Sequence, residues 1–92
     1  MKAMRAIMNR IRIYTERKNM LDLSLLVRSY YPSHTLYDTV GVWQGMGELG
    51  LVIEVLTKEH ARKAYELASK IKRENDQSSI LVTVEKVEAR LL

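Results

Sequence analysis

The alternation of apolar and polar residues predicts four β-strands along this chain. Residues 10–17 alternate with period two, which is typical of a strand with one buried face. Residues 36–43 and 80–85 alternate in the same way. Residues 50–56 are almost continuously apolar, so we expect this third strand to lie in the centre of a sheet and to be largely covered.

Helical spacing of apolar residues predicts two helices between these strands. Asn19 is expected to cap the first helix, which should end before Pro32 because proline disfavours helical geometry in the preceding residue. Thr57 is expected to cap the second helix. That helix should run to about Glu74, with Asn75 as a left-handed stop.

The order of these elements predicts the fold. The two middle strands should form a hairpin around the turn at 44–48, where two glycines permit positive φ angles. The resulting order β-α-β-β-α-β is the split-βαβ, ferredoxin-like arrangement. It is an α+β fold in which a four-stranded antiparallel sheet carries two helices on one face. A different α+β sandwich with the same element order is the structural alternative.

A strand that contains Gly41-Val42-Trp43 is followed by an apolar strand and an alanine-rich amphipathic helix. This pattern resembles a small uncharacterised bacterial family of unknown function, and the resemblance covers about residues 35–84. It implies the fold and nothing more. Regulatory domains of the ACT and PII type share the topology, but this sequence lacks their ligand-loop signatures, and topology does not fix function.

Composition is that of one small domain without covalent cross-links. We assign the domain to residues 10–92 and expect a flexible basic leader at residues 1–9. The absence of cysteine excludes disulfides, cysteine-based zinc sites and a thiol nucleophile, and the cytoplasm is the simplest location. No apolar run approaches the ~20 residues that cross a bilayer, so no membrane partner is expected. A net charge of +4 permits weak attraction to anions, but strong nucleic-acid binding usually needs a denser basic patch.

The predicted topology leaves one face of the sheet without helices. Strand parity places twelve residues on this open face: Arg10, Arg12, Tyr14, Tyr37, Thr39, Trp43, Val52, Glu54, Leu56, Leu81, Thr83 and Glu85. The six aromatic and aliphatic residues among them are together too apolar for the solvent face of a monomer. We expect either a homodimer that buries this face or a ligand or partner that binds to it. The candidate ligand-binding or interface residues are Arg12, Tyr14, Tyr37, Trp43 and Gln44. The further interface candidates are Val52, Leu56 and Leu81.

The sequence contains no strong catalytic or metal-binding motif. His34 and His60 have no histidine partner at HxH or HxxxH spacing, so neither a metal site nor a cofactor is predicted. The GxSxG, Walker and GxGxxG motifs are absent, and the glycines at 45–50 are better explained by hairpin geometry than by a phosphate cradle. An RNA-recognition surface is not favoured, because the third strand has no aromatic residue and carries Glu54.

These observations favour a non-catalytic binding or regulatory module that dimerises through the open sheet face. Its ligand would be a small polar or anionic molecule, or a protein partner. The main competing hypothesis is a small dimeric α+β-barrel enzyme with a pocket between sheet and helices, for which Arg12, Tyr14 and His34 are the candidates. Two less favoured hypotheses are a phage- or host-interaction protein that occludes a partner surface, and a single-stranded RNA-binding protein.

Overall fold

The chain folds into four strands and two helices in the predicted order. The computed structural model describes residues 4–92. Its elements are β1 (Met4–Glu16), α1 (Met20–Tyr30), β2 (Thr35–Trp43), β3 (Met46–Thr57), α2 (Arg62–Glu74) and β4 (Leu81–Leu91). The sheet has the order β2-β3-β1-β4, and every neighbouring pair is antiparallel. The predicted α+β, ferredoxin-like fold is therefore confirmed.

The hydrophobic core lies between the two helices and one face of the central strands. Ile13 and Ile53 are directly opposite each other in β1 and β3, and both are fully buried. Because side chains alternate along a strand, their neighbours two residues away share this face. The sheet and the helices together supply the buried cluster: Ile11, Ile13, Leu23, Val27, Tyr31, Leu51, Ile53, Val55, Ala61, Ala64, Leu67, Ala68 and Ile71. The predicted parity of these central strands is thus confirmed.

The first strand begins earlier than the sequence pattern indicates. Residues 4–9, expected in a flexible leader, continue β1 and pair with β4 from Met4 opposite Leu91 to Asn9 opposite Lys86. Their order comes from the backbone hydrogen bonds to a strand far away along the chain, which local alternation does not reveal. The rest of the expected leader, residues 1–3, lies outside the described residues.

The helix ends also differ from the prediction. Asn19 adopts a left-handed conformation with φ 54°, and its side-chain amide donates to Asn75 Oδ1 at 3.1 Å instead of capping α1. Thr57 Oγ1 accepts the Glu59 backbone N–H at 3.0 Å within a turn, and α2 begins only after that turn. Asn75 has φ −91°, so the left-handed residue after α2 is Asp76, with φ 51°.

The β2–β3 hairpin is tighter than predicted. Its turn contains only Gln44 and Gly45, with φ angles of 49° and 79°, and the flanking residues Trp43 and Met46 are paired. Two consecutive positive φ angles are typical of the type I′ turns that match the twist of a hairpin. The remaining residues of the predicted turn, 46–48, belong to β3.

The hairpin also extends past the helical layer. β1 ends at Glu16, opposite Gly50, whereas β2 and β3 continue beyond this point to their turn. We call residues 40–49 the hairpin arm. Val40 and Val42 have the predicted parity but are 77% and 73% exposed, because the helices do not reach over the arm.

Among the residues described, no helix has the length and apolar character needed to span a membrane.

Candidate ligand-binding site

Two of the predicted site residues meet at a carboxylate in the centre of the open sheet face. Arg12 Nε donates to Glu54 Oε1 at 2.8 Å, and the Tyr37 hydroxyl donates to Glu54 Oε2 at 3.0 Å. These residues come from β1, β3 and β2, so the cluster joins three strands. Parity had already placed Glu54 on this face, although not as a site residue.

This cluster neutralises its own charges. The hydrogen bond and the positive charge of Arg12 lower the pKa of Glu54, even though partial burial opposes the shift. Glu54 in turn raises the pKa of Arg12. It also raises the pKa of Tyr37, because its carboxylate accepts a hydrogen bond from the phenol and so favours the protonated form. Arg12 therefore already has its counter-charge and is not a free cation for an anionic ligand.

Val52, predicted as an interface residue, is covered within its own chain. The strand register places Tyr14 and Tyr37 on its two sides on the open face, and Val52 is only 7% exposed. Leu56 and Leu81, the remaining two interface candidates, stay exposed. Leu56 and Leu81 thus contribute exposed apolar surface to this face, whereas Val52 at its centre does not.

Trp43 and Gln44 lie apart from this cluster. Trp43 follows Tyr37 by six positions along β2, which corresponds to about 20 Å at the usual strand rise. Its side chain is 68% exposed near the tip of the hairpin arm, and Gln44 occupies the turn itself. The five predicted ligand-binding residues therefore do not form one site.

A cleft opens where β1 ends beside the hairpin arm, and it contains Tyr14 and Trp43. Its volume of about 390 Å³ is within the range of small-molecule sites. One wall comes from a segment that the sequence did not single out, the α2–β4 loop. The side chains and backbone that line the cleft are: Tyr14, Thr15, Glu16, Thr39, Gly41, Trp43, Glu48, Leu49, Gly50, Leu51, Gln77, Ser78 and Ser79.

Hydrogen bonds hold the α2–β4 loop against the sheet. The Thr15 hydroxyl and the Asn75 side-chain amide both donate to Gln77 Oε1, the amide at 3.2 Å. The backbone N–H of Glu16 also donates to this oxygen, at 3.3 Å, and Gln77 Nε2 donates to the Ser79 carbonyl at 3.1 Å. The loop wall of the cleft is therefore fixed before any ligand arrives, which lowers the entropic cost of binding.

The charge of the cleft is negative. Of its ionisable lining residues, the carboxylates are Glu16 and Glu48, and within residues 4–92 neither lysine nor arginine lines it. Glu16 is paired with Lys18 at 2.9 Å, whereas Glu48 forms no ion pair with any described residue. The lining hydroxyl groups and aromatic rings suit a polar ligand that is neutral or positively charged.

Of the three residues of the enzyme hypothesis, Tyr14 lines the cleft, whereas Arg12 and His34 do not. His34 and Glu54 line a shallow depression at the start of β2, and His34 Nδ1 is 2.7 Å from the Tyr31 carbonyl oxygen. This depression is open to solvent, whereas the predicted enzyme pocket was to lie between sheet and helices. Over the range 4–92, no group of three His, Cys, Asp or Glu side chains is placed to hold a metal ion.

Comparison with solved structures shows a shared fold at low sequence identity. The apo form of CPII, a nitrogen regulatory PII-like protein from Thiomonas intermedia K12, is similar with a TM-score of 0.69 and 12% identity. The match covers 99% of this chain and 100% of that one. A phage SAM lyase in complex with S-methyl-5′-thioadenosine has a TM-score of 0.68 and 13% identity, over 91% and 88% of the two chains. A putative PII-like signalling protein from Thermus thermophilus has a TM-score of 0.53 and 17% identity, over 97% and 92%.

This chain thus has the fold of PII-like proteins. No family model matches the sequence, and no curated protein matches it. At identities of 12–17% to these three structures, the likeness concerns the fold alone.

Proposed function

We propose that this protein is a regulatory binding module whose ligand is a small molecule containing adenosine. The observation that carries the proposal is the cleft, whose lining combines Tyr14 and Trp43 with the hydroxyl groups of Ser78 and Ser79. Two similar structures support the ligand class. The structure of CPII was solved with ADP, AMP and bicarbonate, and that of the phage lyase with S-methyl-5′-thioadenosine. Both proteins therefore bind a compound that contains adenosine.

The charge of the cleft narrows the ligand class further. A phosphate would meet Glu48 without a lysine or arginine in the lining to offset the repulsion. A neutral nucleoside, or an adenosine derivative with a positive charge, avoids this cost. We therefore expect nucleosides such as S-methyl-5′-thioadenosine to bind more tightly than ADP or AMP.

The proposal includes self-association as a homodimer through the open sheet face. Leu56 and Leu81 are exposed on this face, together with parts of Tyr14 and Tyr37. Aromatic and aliphatic residues around ion-paired arginines are typical of protein interfaces. Native mass spectrometry tests the oligomeric state directly. A dimer that dissociates in the double variant Leu56→Lys/Leu81→Lys supports the assembly, and a monomeric wild-type protein overturns it.

Tryptophan fluorescence provides the ligand test, because Trp43 is the only tryptophan in the chain. The titrants are S-methyl-5′-thioadenosine, adenosine, ADP and AMP, with excitation at the red edge of the indole band to limit absorption by adenine. We expect a saturable change with the two nucleosides at lower concentration than with the nucleotides.

The variant Glu48→Gln should reduce the difference in affinity between nucleosides and nucleotides. Glu66→Gln on α2 is the matched control, since it removes the same charge outside the cleft. The absence of a saturable change with all four compounds, together with no bound mass in native mass spectrometry, would refute the proposed ligand class.

A further inference from the structure

The sheet and the helical layer differ in how their cations are paired. On the sheet, Arg10 and Arg12 donate to carboxylates of neighbouring strands. In the helical layer, Arg62, Lys70 and Arg73 of α2 form no ion pair with any of the residues 4–92. The positive charge that is available to a partner is therefore concentrated on the outer side of α2.

These three cations share one shallow groove with two tyrosines. The groove, which we call the α2 groove, is lined by seven residues: Tyr30, Arg62, Tyr65, Glu66, Ser69, Lys70 and Arg73. The six residues from α2 follow the spacing of a single helix face. That face is separate from the stripe Ala64, Leu67, Ala68 and Ile71, which packs into the core.

Tyr30 gives the groove an apolar floor beside its charges. Lys70 Nζ lies 5.0 Å from the centroid of the Tyr30 ring, a cation–π distance, and Tyr65 is half exposed. Tyrosine and arginine on an open surface are the residue types that dominate the energetics of protein interfaces. The groove therefore offers a partner both positive charge and aromatic contact area, whereas an ordinary solvated basic helix face offers charge alone.

We propose that the α2 groove binds an acidic peptide segment of a partner protein. Arg62 and Arg73 mark the two ends of the groove, and they lie eleven positions apart on α2, a distance of about 16 Å along the helix. An extended peptide covers that distance in about five residues. Two acidic residues about five positions apart, with apolar residues between them, would match both arginines and both tyrosines.

The position of Glu66 favours a peptide over a nucleic acid. Glu66 lines the groove between Arg62 and Lys70, so a continuous phosphate backbone would pass a carboxylate in the middle of its path. A peptide can place an uncharged or basic residue at that point. The α2 groove and the cleft have no lining residue in common, so a partner and a small ligand can bind at the same time.

Fluorescence anisotropy with a designed probe tests this inference. The probe is a fluorescein-labelled peptide of about twelve residues in which two Glu residues flank a Leu-Ser-Ser-Leu segment and are therefore five positions apart. The 92-residue protein is titrated into the probe at low salt. At an ionic strength of 0.1 M, attraction between exposed charges is already screened beyond about 10 Å. We expect the double variant Arg62→Gln/Arg73→Gln to weaken binding about tenfold or more.

The matched control is Lys58→Gln/Lys86→Gln, which removes two unpaired cations outside the groove. It should change the affinity less than about threefold, and Arg62→Lys/Arg73→Lys should retain most of the binding. Circular dichroism confirms that each variant is folded.

The inference is overturned if the wild-type protein does not bind the peptide, or if the Arg→Gln and Lys→Gln double variants lose affinity equally. It is also overturned if the protein binds a single-stranded oligothymidine or phosphatidylglycerol vesicles more tightly than the peptide. None of these results depends on whether the cleft binds adenosine, so the two proposals fail separately.

Discussion

Arg12 on β1 and Glu54 on β3 stand directly opposite each other in the sheet, and Arg12 Nε donates to Glu54 Oε1 at 2.8 Å. The pair lies in the middle of the open face, where a dimer partner would cover it. An ion pair that forms within one chain brings no net charge to such an interface. Its geometry is therefore compatible with both the monomer and the proposed dimer.

We expect Glu54→Gln to remove part of the acid sensitivity of the protein. The folded pKa of Glu54 is lowered, so its contribution to the free energy of unfolding is fully present above the ordinary glutamate pKa of about 4.3. The contribution is lost as the pH falls through the lowered folded pKa. Urea unfolding at neutral pH and near pH 3 should show a difference between wild type and variant that shrinks on acidification. A difference that stays constant with pH would contradict this assignment.

We expect Gly50→Ala to destabilise the fold and to disturb the cleft. A Cβ at Gly50 would lie 2.6 Å from Thr39 Oγ1, so the threonine side chain would have to move. Overpacking of this kind costs about 1 kcal/mol or more. Gly41→Ala is the matched control in β2, because a Cβ there would meet no other atom of the described residues within 4 Å. Its cost should stay within about 0.5 kcal/mol in urea unfolding.

A double-mutant cycle makes the Gly50 prediction sharper. If Thr39 Oγ1 is the obstacle, then Thr39→Ala should recover most of the loss caused by Gly50→Ala. If Gly50→Ala lowers the free energy of unfolding equally with and without the Thr39 hydroxyl, the close contact is not the cause of the destabilisation.

We expect Asn75→Ala to loosen the α2–β4 loop. Asn75 is buried, donates to Thr15 and Gln77, and accepts from Asn19. Its removal deprives Thr15 Oγ1, Gln77 Oε1 and Asn19 Nδ2 of one hydrogen bond each and should cost about 1–3 kcal/mol of unfolding free energy. Hydrogen exchange should become faster in the loop, at residues 77–79.

Ser78→Ala is the control for Asn75→Ala. Ser78 is exposed in the same loop, so its truncation should change the free energy of unfolding by less than about 0.5 kcal/mol. Unchanged exchange rates in Asn75→Ala would argue against the loop being held by this network.

The sequence was sufficient to predict which side of each central strand faces the helices. Ile11 and Ile13 alternate with charged and aromatic residues, and only one register buries both isoleucines. Exposure was harder to predict, because it depends on neighbours from other elements. Val52 has the parity of the open face yet is covered by flanking tyrosines, and Val40 has the parity of the helical face yet lies beyond the helices.

Features that depend on distant parts of the chain could not be read from local patterns. Asn19 fits the preference for a helix cap, but its side chain bonds to Asn75, which lies far away in sequence. Gln77 carries no motif, and its place in the cleft follows from contacts with Thr15 and Asn75. Tyr14 and Trp43 were predicted as site residues by strand parity and residue type. The same two criteria selected Arg12 and Tyr37, which do not line the cleft.

The pairing of β1 with β4 has a consequence for how the protein folds. The hairpin of β2 and β3 can form from local contacts within a few microseconds, since a two-residue turn joins its strands. β1, in contrast, reaches its full set of backbone hydrogen bonds only when β4 arrives, and Met4 has to find Leu91. Such non-local pairing slows folding. During synthesis, β1 therefore waits with one edge unpaired until β4 has emerged, and that interval is when this sheet is most exposed to misassembly.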